Sequence, residues 1–212
     1  MATVVERMAE FGVVPVVKIK SADMALPLAA ALKAGGLCCA EITFRTDAAE
    51  ESIKKIKKAY PEFLIIAGTV LSVEQADIAM AAGAEGIVSP GFNPEVVKHC
   101  LKKGYPVVPG VCTPTEAEAA MALGLKYLKF FPAEAAGGAK MVNAMAAPYR
   151  GIKFMPTGGI TLANLENYLS LKCVFSCGGS WLTPENLITE GRYDEIEKLA
   201  REAVELVGKI NA

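Results

Sequence analysis

Histidine, excess charge of either sign and long apolar runs are scarce or missing in this 212-residue sequence. With one histidine, His99, the sequence supplies few ligands for a metal centre of the His/Asp/Glu type. A net charge of -1 and a pI near 6.0 provide no electrostatic footprint for nucleic acid or an anionic membrane, so we expect neither as a partner. No run reaches the roughly eighteen apolar residues that a membrane span needs.

We also expect neither a secretion signal nor a disulfide framework. Residues 1–11 carry three charged side chains and therefore lack the apolar core of a signal peptide. The six cysteines include an adjacent pair, Cys38 and Cys39, but no Cys-x-x-Cys. We interpret them as small buried apolar residues in a reducing compartment rather than as zinc ligands, and we expect a cytoplasmic protein.

Short apolar runs recur along the chain at a nearly constant interval. They begin near residues 14, 40, 63, 86, 106, 126, 152 and 173, and alanine-rich amphipathic stretches separate them. This is the period of a strand-loop-helix-loop unit repeated eight times. We predict an α/β protein, a single (β/α)₈ TIM barrel over residues 1–212 with an N-terminal helix. An open doubly wound sheet is the alternative, but the first strand-to-helix joint lacks Gly-x-Gly-x-x-Gly.

A lysine interrupts the sixth apolar run. Alternation along a strand places Lys129 on the same face as Tyr127 and Phe131, so its amine is expected between two aromatic rings. Burial favours the neutral, nucleophilic form of an amine, which makes Lys129 a candidate for Schiff-base formation with a carbonyl. The alternative is a lysine whose aliphatic stem packs in the core while its ammonium group reaches the end of the strand. Lys18, at the end of the first run, is the other inward lysine, and we interpret it as a structural or pocket residue.

The second run carries two charged residues on one face. Glu41 and Arg45 alternate with the apolar Ala40 and Ile42. If the apolar face meets the helices, the carboxylate and the guanidinium point inward, toward Lys129. Barrel enzymes place their chemistry at the carboxyl ends of the strands, so Glu41 is a candidate general acid and base. A buried ion pair with Arg45 or Lys129 is the other interpretation.

Small and polar residues follow the remaining runs. The third run ends at Thr69, the fourth ends at Pro90, and glycine pairs follow the seventh and eighth. Paired glycines let backbone N–H groups approach an anion, and the loops after strands seven and eight of a barrel often bind phosphate. The predicted phosphate-binding residues are Thr157, Gly158, Gly159, Gly179 and Ser180.

Six motifs follow one another along the chain: Glu41-Ile-Thr-Phe-Arg45-Thr, Ala67-Gly-Thr69-Val, Ser89-Pro-Gly91, Lys129-Phe-Phe-Pro-Ala-Glu134, Pro156-Thr-Gly-Gly-Ile160 and Gly178-Gly-Ser-Trp181. Together they resemble the 2-dehydro-3-deoxy-6-phosphogluconate (KDPG) and 4-hydroxy-2-oxoglutarate (KHG) aldolases. The resemblance covers nearly the whole chain. It implies a class I lyase of the Entner-Doudoroff pathway, a homotrimer without a cofactor or metal, that splits a 2-keto-4-hydroxy acid into pyruvate and an aldehyde.

The resemblance also implies a role for each site residue. Lys129 is the expected nucleophile and Glu41 the expected acid and base. The other predicted site residues hold the substrate carboxylate (Arg45, Thr69) or wall the pocket (Pro90, Phe131, Lys18). Two other functions stay open from the residues themselves: a metal-dependent epimerase or aldolase, and a phospho-sugar binding protein without catalysis.

Overall fold

The computed structural model describes residues 3–211, in which short β-strands alternate with α-helices. The strands are β1 (Val13–Val17), β2 (Cys39–Thr43), β3 (Leu64–Gly68), β4 (Gly86–Val88), β5 (Val107–Val108), β6 (Gly110–Val111), β7 (Tyr127–Phe130), β8 (Lys153–Pro156) and β9 (Cys177–Gly179). The helices are α1 (Val4–Phe11), α2 (Ala25–Ala34), α3 (Ala49–Ala59), α4 (Val73–Ala81), α5 (Pro94–Lys103), α6 (Pro114–Ala122), α7 (Gly138–Ala146), α8 (Leu165–Leu169), α9 (Glu185–Thr189) and α10 (Tyr193–Asn211).

The strands form two parallel ladders. One has the order β5-β4-β3-β2-β1-β9 and the other the order β6-β7-β8. Pro109, which has no N–H to donate, separates β5 from β6. Because the first strand pairs with the last, the longer ladder is curled. The predicted α/β class with parallel strands is therefore confirmed. The hydrogen-bonded strands form one ladder of six strands and another of three.

Alternation gives the curled sheet an outer and an inner apolar face. The outer cluster packs against the helices and includes Ile42, Leu128 and Phe130. The inner cluster consists of Met8, Val14, Cys39, Leu64, Ile66, Val88, Val108 and Met155. Met8 belongs to α1, and Val4 of the same helix lies against Gly86, the first residue of β4. Helix α1 therefore covers the amino-terminal ends of the strands and leaves their carboxyl ends for a site.

The helix starts follow local capping chemistry. Ser72 caps α4, as its position in the sequence predicts. Thr113 caps α6, and Glu116 completes a capping box with it. None of the helices within residues 3–211 combines the length and apolar character that crossing a membrane requires.

Candidate active site

Lys129 and Glu41 meet inside the curled sheet although 88 residues separate them. Lys129 is 4% exposed and Glu41 is 1% exposed, and the Lys129 Nζ donates a hydrogen bond of 3.2 Å to Glu41 Oε1. Glu41 Oε2 is buried and has no partner within residues 3–211. An unpaired buried acceptor costs free energy, so this oxygen is available to a substrate hydroxyl or a water. Alternation from the sequence correctly predicts that both side chains point inward.

Gly68 makes room for the Glu41 side chain. A Cβ atom added at Gly68 would lie 2.2 Å from Glu41 Oε1 and 2.5 Å from its Cγ. The glycine ends β3, next to β2, so the carboxyl group crosses the space that a side chain would fill. The sequence shows Gly68 in a motif, but no sequence signal says that it adjoins Glu41.

One aromatic ring of the described residues, not two, adjoins the lysine amine. The Lys129 Nζ lies 5.5 Å from the centre of the Phe131 ring, within range of a cation–π contact. The expectation that Tyr127 would lie on its other side is wrong. Tyr127 is the first residue of β7, and its ring packs edge-on against Phe175 with centroids 5.2 Å apart. Two residues along the strand carry it away from the carboxyl end.

Pro90 lies one strand away from the lysine. Gly110 of β6 pairs in register with Lys129. A Cβ atom at Gly110 would lie 2.1 Å from the Pro90 carbonyl oxygen, so the backbone of Pro90 packs directly on that glycine. This position is compatible with a pocket wall, and the role of Pro90 stays a prediction.

Thr69 has a strained backbone. It follows Gly68, is partly buried, and has a φ of 55°, which is exceptional for a non-glycine residue within residues 3–211. A left-handed conformation costs an L-residue about 1–2 kcal/mol, and such strain concentrates at functional sites. The Thr69 hydroxyl has no hydrogen-bond partner in the described part of the chain, which leaves it available to a ligand.

Arg45 lies beyond the end of its strand. β2 ends at Thr43, and Arg45 is an exposed residue of the turn that follows. The alternation that correctly places Glu41 therefore stops before Arg45, and the inward direction of its guanidinium stays a prediction. Arg45 instead lines a surface cavity of about 390 Å³ with residues of α3 and α4. Within residues 3–211 its guanidinium makes no ion pair, so its predicted role in binding a carboxylate stays a prediction.

Lys18 belongs to an ion-paired cluster beside the strand ends. Its Nζ lies 3.0 Å from Glu185 Oε2, and the Lys20 Nζ lies 2.7 Å from Glu185 Oε1. The hydrogen bonds from Lys20 and then Lys18 lower the pKa of Glu185 to about 2. Lys18 therefore has a structural partner, in agreement with one of its two predicted roles.

The carbonyl groups of the first predicted phosphate loop, residues 157–159, are all hydrogen-bonded. Each of three consecutive carbonyl oxygens accepts one hydrogen bond: Thr157 from Ala133 N at 2.8 Å, Gly158 from Glu134 N at 3.0 Å and Gly159 from Asn164 Nδ2 at 3.0 Å. In a trans peptide the N–H points opposite to the carbonyl. The N–H groups of Gly158, Gly159 and Ile160 therefore point away from these partners. That of Gly158 faces Gly178, which Thr157 bridges, and those of Gly159 and Ile160 have no acceptor within residues 3–211.

The backbone of this loop suits an anion. Gly158 has a φ of 101° and Gly159 a φ of 80°, a conformation that favours glycine. Consecutive free N–H groups in such a turn form an anion-binding concavity. The Phe131 ring lies 3.3 Å from where a Gly158 Cβ would be. Phe131 therefore touches both the loop and the amine of Lys129, which makes them parts of one site.

The second glycine loop adjoins the first. Thr157 is buried and bridges Gly178 in parallel, and a Cβ at Gly178 would lie 2.3 Å from Thr157 Oγ1. The Trp181 ring occupies the space beside Gly179, while Ser180 is exposed at the start of a 3₁₀ helix, Ser180–Leu182. The structure thus brings together all five residues of the predicted phosphate site.

Histidine takes no part in this arrangement. His99, on α5, contacts Asp77 of α4 at 2.8 Å. No three His, Cys, Asp or Glu side chains within residues 3–211 group in a way that could hold a metal ion. All six cysteines are free.

A buried lysine amine in hydrogen-bond contact with a carboxyl group is the arrangement of an enzyme that forms Schiff bases with carbonyl substrates. Comparison with known proteins identifies the class further. Residues 4–199 match the sequence profile of the family described as KDPG and KHG aldolase. The chain belongs to this family and is an aldolase, a carbon–carbon lyase.

Similar proteins span nearly the whole chain. A 2-dehydro-3-deoxy-phosphogluconate aldolase of Treponema pallidum is 46% identical and covers 98% of this chain and 99% of its own. A KHG/KDPG aldolase of Escherichia coli K12 is 46% identical, with 91% of each chain covered. The structure of a KDPG aldolase from Legionella pneumophila, with pyruvate captured as a covalent carbinolamine, superposes with a TM-score of 0.92 at 38% identity. It covers 95% of this chain and 98% of its own.

Proposed function

We propose that this chain is a class I aldolase that cleaves KDPG to pyruvate and glyceraldehyde 3-phosphate, and KHG to pyruvate and glyoxylate. The observation that carries the proposal is the buried hydrogen bond between Lys129 Nζ and Glu41 Oε1. The relatives named for both substrates, and the Legionella neighbour with its covalent pyruvate, support the same chemistry.

The reaction begins at Lys129. Its neutral amine attacks the substrate C2 carbonyl to form a carbinolamine, and loss of water gives a protonated imine. Glu41 is the group beside the amine that transfers protons in these steps, with Oε2 as its unoccupied oxygen. The imine then accepts the electron pair of the C3–C4 bond.

Cleavage of that bond follows proton removal from the C4 hydroxyl. Glu41 accepts this proton, the aldehyde leaves, and the electron pair remains on an enamine instead of a free carbanion. Protonation of the enamine at C3 restores an imine of pyruvate. Water then hydrolyses the imine, which releases pyruvate and regenerates the Lys129 amine.

The two ends of the substrate need different partners. The proposal assigns the C1 carboxylate to Arg45 and Thr69, whose polar groups have no protein partner within residues 3–211. A planar guanidinium is suited to a carboxylate. The distal phosphate binds the two glycine loops, with Thr157 and Ser180 beside them, because the free N–H groups of Gly159 and Ile160 supply donors there.

We also propose that the two ladders are parts of one (β/α)₈ barrel in a single domain over residues 1–212. The bridges from Phe154 to Val174 and from Thr157 to Gly178 connect β8 to the segment of β9, and only Pro109 separates β5 from β6. The homotrimer and the cytoplasmic location remain predictions. Light scattering of the purified protein tests the first.

Trapping with pyruvate and borohydride tests the function directly. Reduction of the imine should add a pyruvate-derived group to Lys129, located by peptide mass spectrometry, and Lys129→Ala should abolish it. Lys18→Ala is the matched control and should keep the adduct. Glu41→Gln should still form some adduct but lower kcat for aldol cleavage by about 10²- to 10⁴-fold. EDTA should leave turnover unchanged. An adduct at another lysine would refute the proposal.

A further inference from the structure

Two side chains of α8 hold the first glycine loop in place, and neither has a role in the chemistry described above. They are Asn164, the residue before the helix, and Tyr168, one turn later. Residues four apart lie on the same face of a helix, so both reach the same neighbour. That neighbour is the segment carrying the free N–H groups of Gly159 and Ile160.

Asn164 contacts the loop directly. Its Nδ2 donates to the Gly159 carbonyl at 3.0 Å, and its Oδ1 accepts from Thr161 N at 2.8 Å. An asparagine at this position of a helix usually bonds to the first N–H groups of the helix. Here the side chain makes no such bond to α8. Both of its hydrogen bonds are made to the loop, and the bond to the Gly159 carbonyl fixes the orientation of the peptide that carries the Ile160 N–H.

Tyr168 acts through Glu134. The Tyr168 side chain is fully buried, and its hydroxyl donates a hydrogen bond to Glu134 Oε1. Glu134 in turn donates its backbone N–H to the Gly158 carbonyl at 3.0 Å. A Cβ at Gly159 would lie 2.6 Å from Glu134 Cβ, so the glutamate also packs on the second glycine. Burial, with the hydrogen bond to Glu134, raises the pKa of Tyr168, which keeps its hydroxyl a donor.

We propose that Asn164 and Tyr168 are positioning residues that orient the Gly158–Gly159 loop toward the substrate phosphate, and so set the preference for phosphorylated over unphosphorylated substrates. The inference rests on the proposed function, since it concerns how the same site selects among 2-keto-4-hydroxy acids. The two residues touch the loop and Glu134 rather than the reacting atoms. Their effect is therefore expected on binding of the phosphate and not on the Schiff-base steps.

The test compares Asn164→Ala and Tyr168→Phe on KDPG and on KHG, which has no phosphate. Each variant should raise KM for KDPG about 3- to 10-fold, the range that losing one net hydrogen bond converts to. Because uniform binding affects KM alone, kcat for KDPG and kcat/KM for KHG should stay near the wild-type values. A parallel fall for both substrates, or an unchanged KM for KDPG, would overturn the inference.

Two matched controls come from the same chain. Asn167→Ala changes an exposed asparagine on the same helix, and Tyr149→Phe removes a hydroxyl that bonds Glu118 at 2.9 Å, elsewhere on the surface. Both should leave KM for KDPG unchanged. If either control raises it as much as Asn164→Ala does, the effect is not specific to the loop and the inference is wrong.

A second measurement does not depend on turnover. Inorganic phosphate should raise the thermal unfolding temperature of the wild-type protein, and the increase should be smaller in the two α8 variants. If the wild type cleaves neither substrate and forms no Lys129 adduct, the proposed function fails, while this shift still decides the role of Asn164 and Tyr168. Equal shifts in wild type and variants would refute that role even in an active aldolase.

Discussion

Replacing Gly68 by alanine tests whether the position of the Glu41 carboxyl group is what makes the site work. The added methyl carbon would lie 2.2 Å from Oε1, 2.5 Å from Cγ and 2.7 Å from Cδ, whereas ordinary contacts begin at 3.4 Å. The φ of Gly68 is not positive, so the cause is steric contact and not backbone strain. Glu41 must retreat by about 1 Å, a displacement that can cost about 10²-fold in rate.

We therefore expect Gly68→Ala to lower kcat for KDPG cleavage about 100-fold. Pyruvate release, followed by coupling to lactate dehydrogenase and NADH, measures this loss. Lys129 itself is unchanged, so borohydride trapping with pyruvate should still label it, at a lower rate. Gly208→Ala is the control, because Gly208 is an exposed residue of α10 with nothing within 4 Å of an added Cβ.

Overpacking also costs stability, typically about 1–3 kcal/mol, so thermal unfolding of both variants must accompany the kinetics. The expected pattern is a folded Gly68→Ala protein with slow turnover. A folded variant with near-wild-type kcat would refute the reasoning. It would mean either that Glu41 has another productive position or that it is not the proton-transfer group.

Two further predictions concern strain and charge around the site. Thr69→Gly removes the left-handed strain at φ 55° and should raise the free energy of unfolding by about 0.5–1 kcal/mol, once the greater chain entropy of glycine in the unfolded state is subtracted. The loss of the hydroxyl should raise KM. A drop in stability in urea unfolding would contradict the first expectation. Glu185→Gln should flatten the acid end of the stability profile. The native pKa of Glu185, about 2, lies below its unfolded value of about 4.3, so its contribution is complete above that value and is lost as pH falls toward 2. Equal acid sensitivity of wild type and variant would count against this ion pair.

Alternation of side chains made the central contact predictable. Within β2 and β7 each residue points to the face opposite its neighbour, so Glu41 and Lys129 could be assigned to the inner face and Ile42 and Leu128 to the outer face from the residues alone. The same rule does not extend to Arg45, where the strand has already ended, and it failed at Tyr127, which lies too near the closed end. Alternation predicts which face of the sheet a side chain points to. It predicts neither the length of the strand nor how far a residue lies from the carboxyl end of that strand.

The amino-acid sequence by itself determined the repeated strand and helix units, the inward lysine and glutamate, the glycine pairs and the family. These depend on local periodicity and on short motifs, which each segment carries independently of the others. Only the tertiary structure decided three features: the contact of Gly68 with the Glu41 carboxyl, the turn that places Arg45 beyond the end of β2, and the hydrogen bonds by which Asn164 and Tyr168 fix the Gly158–Gly159 loop. They depend on the register between strands and on the packing of helices against loops, and these join segments whose separation along the chain carries no information about their distance in space.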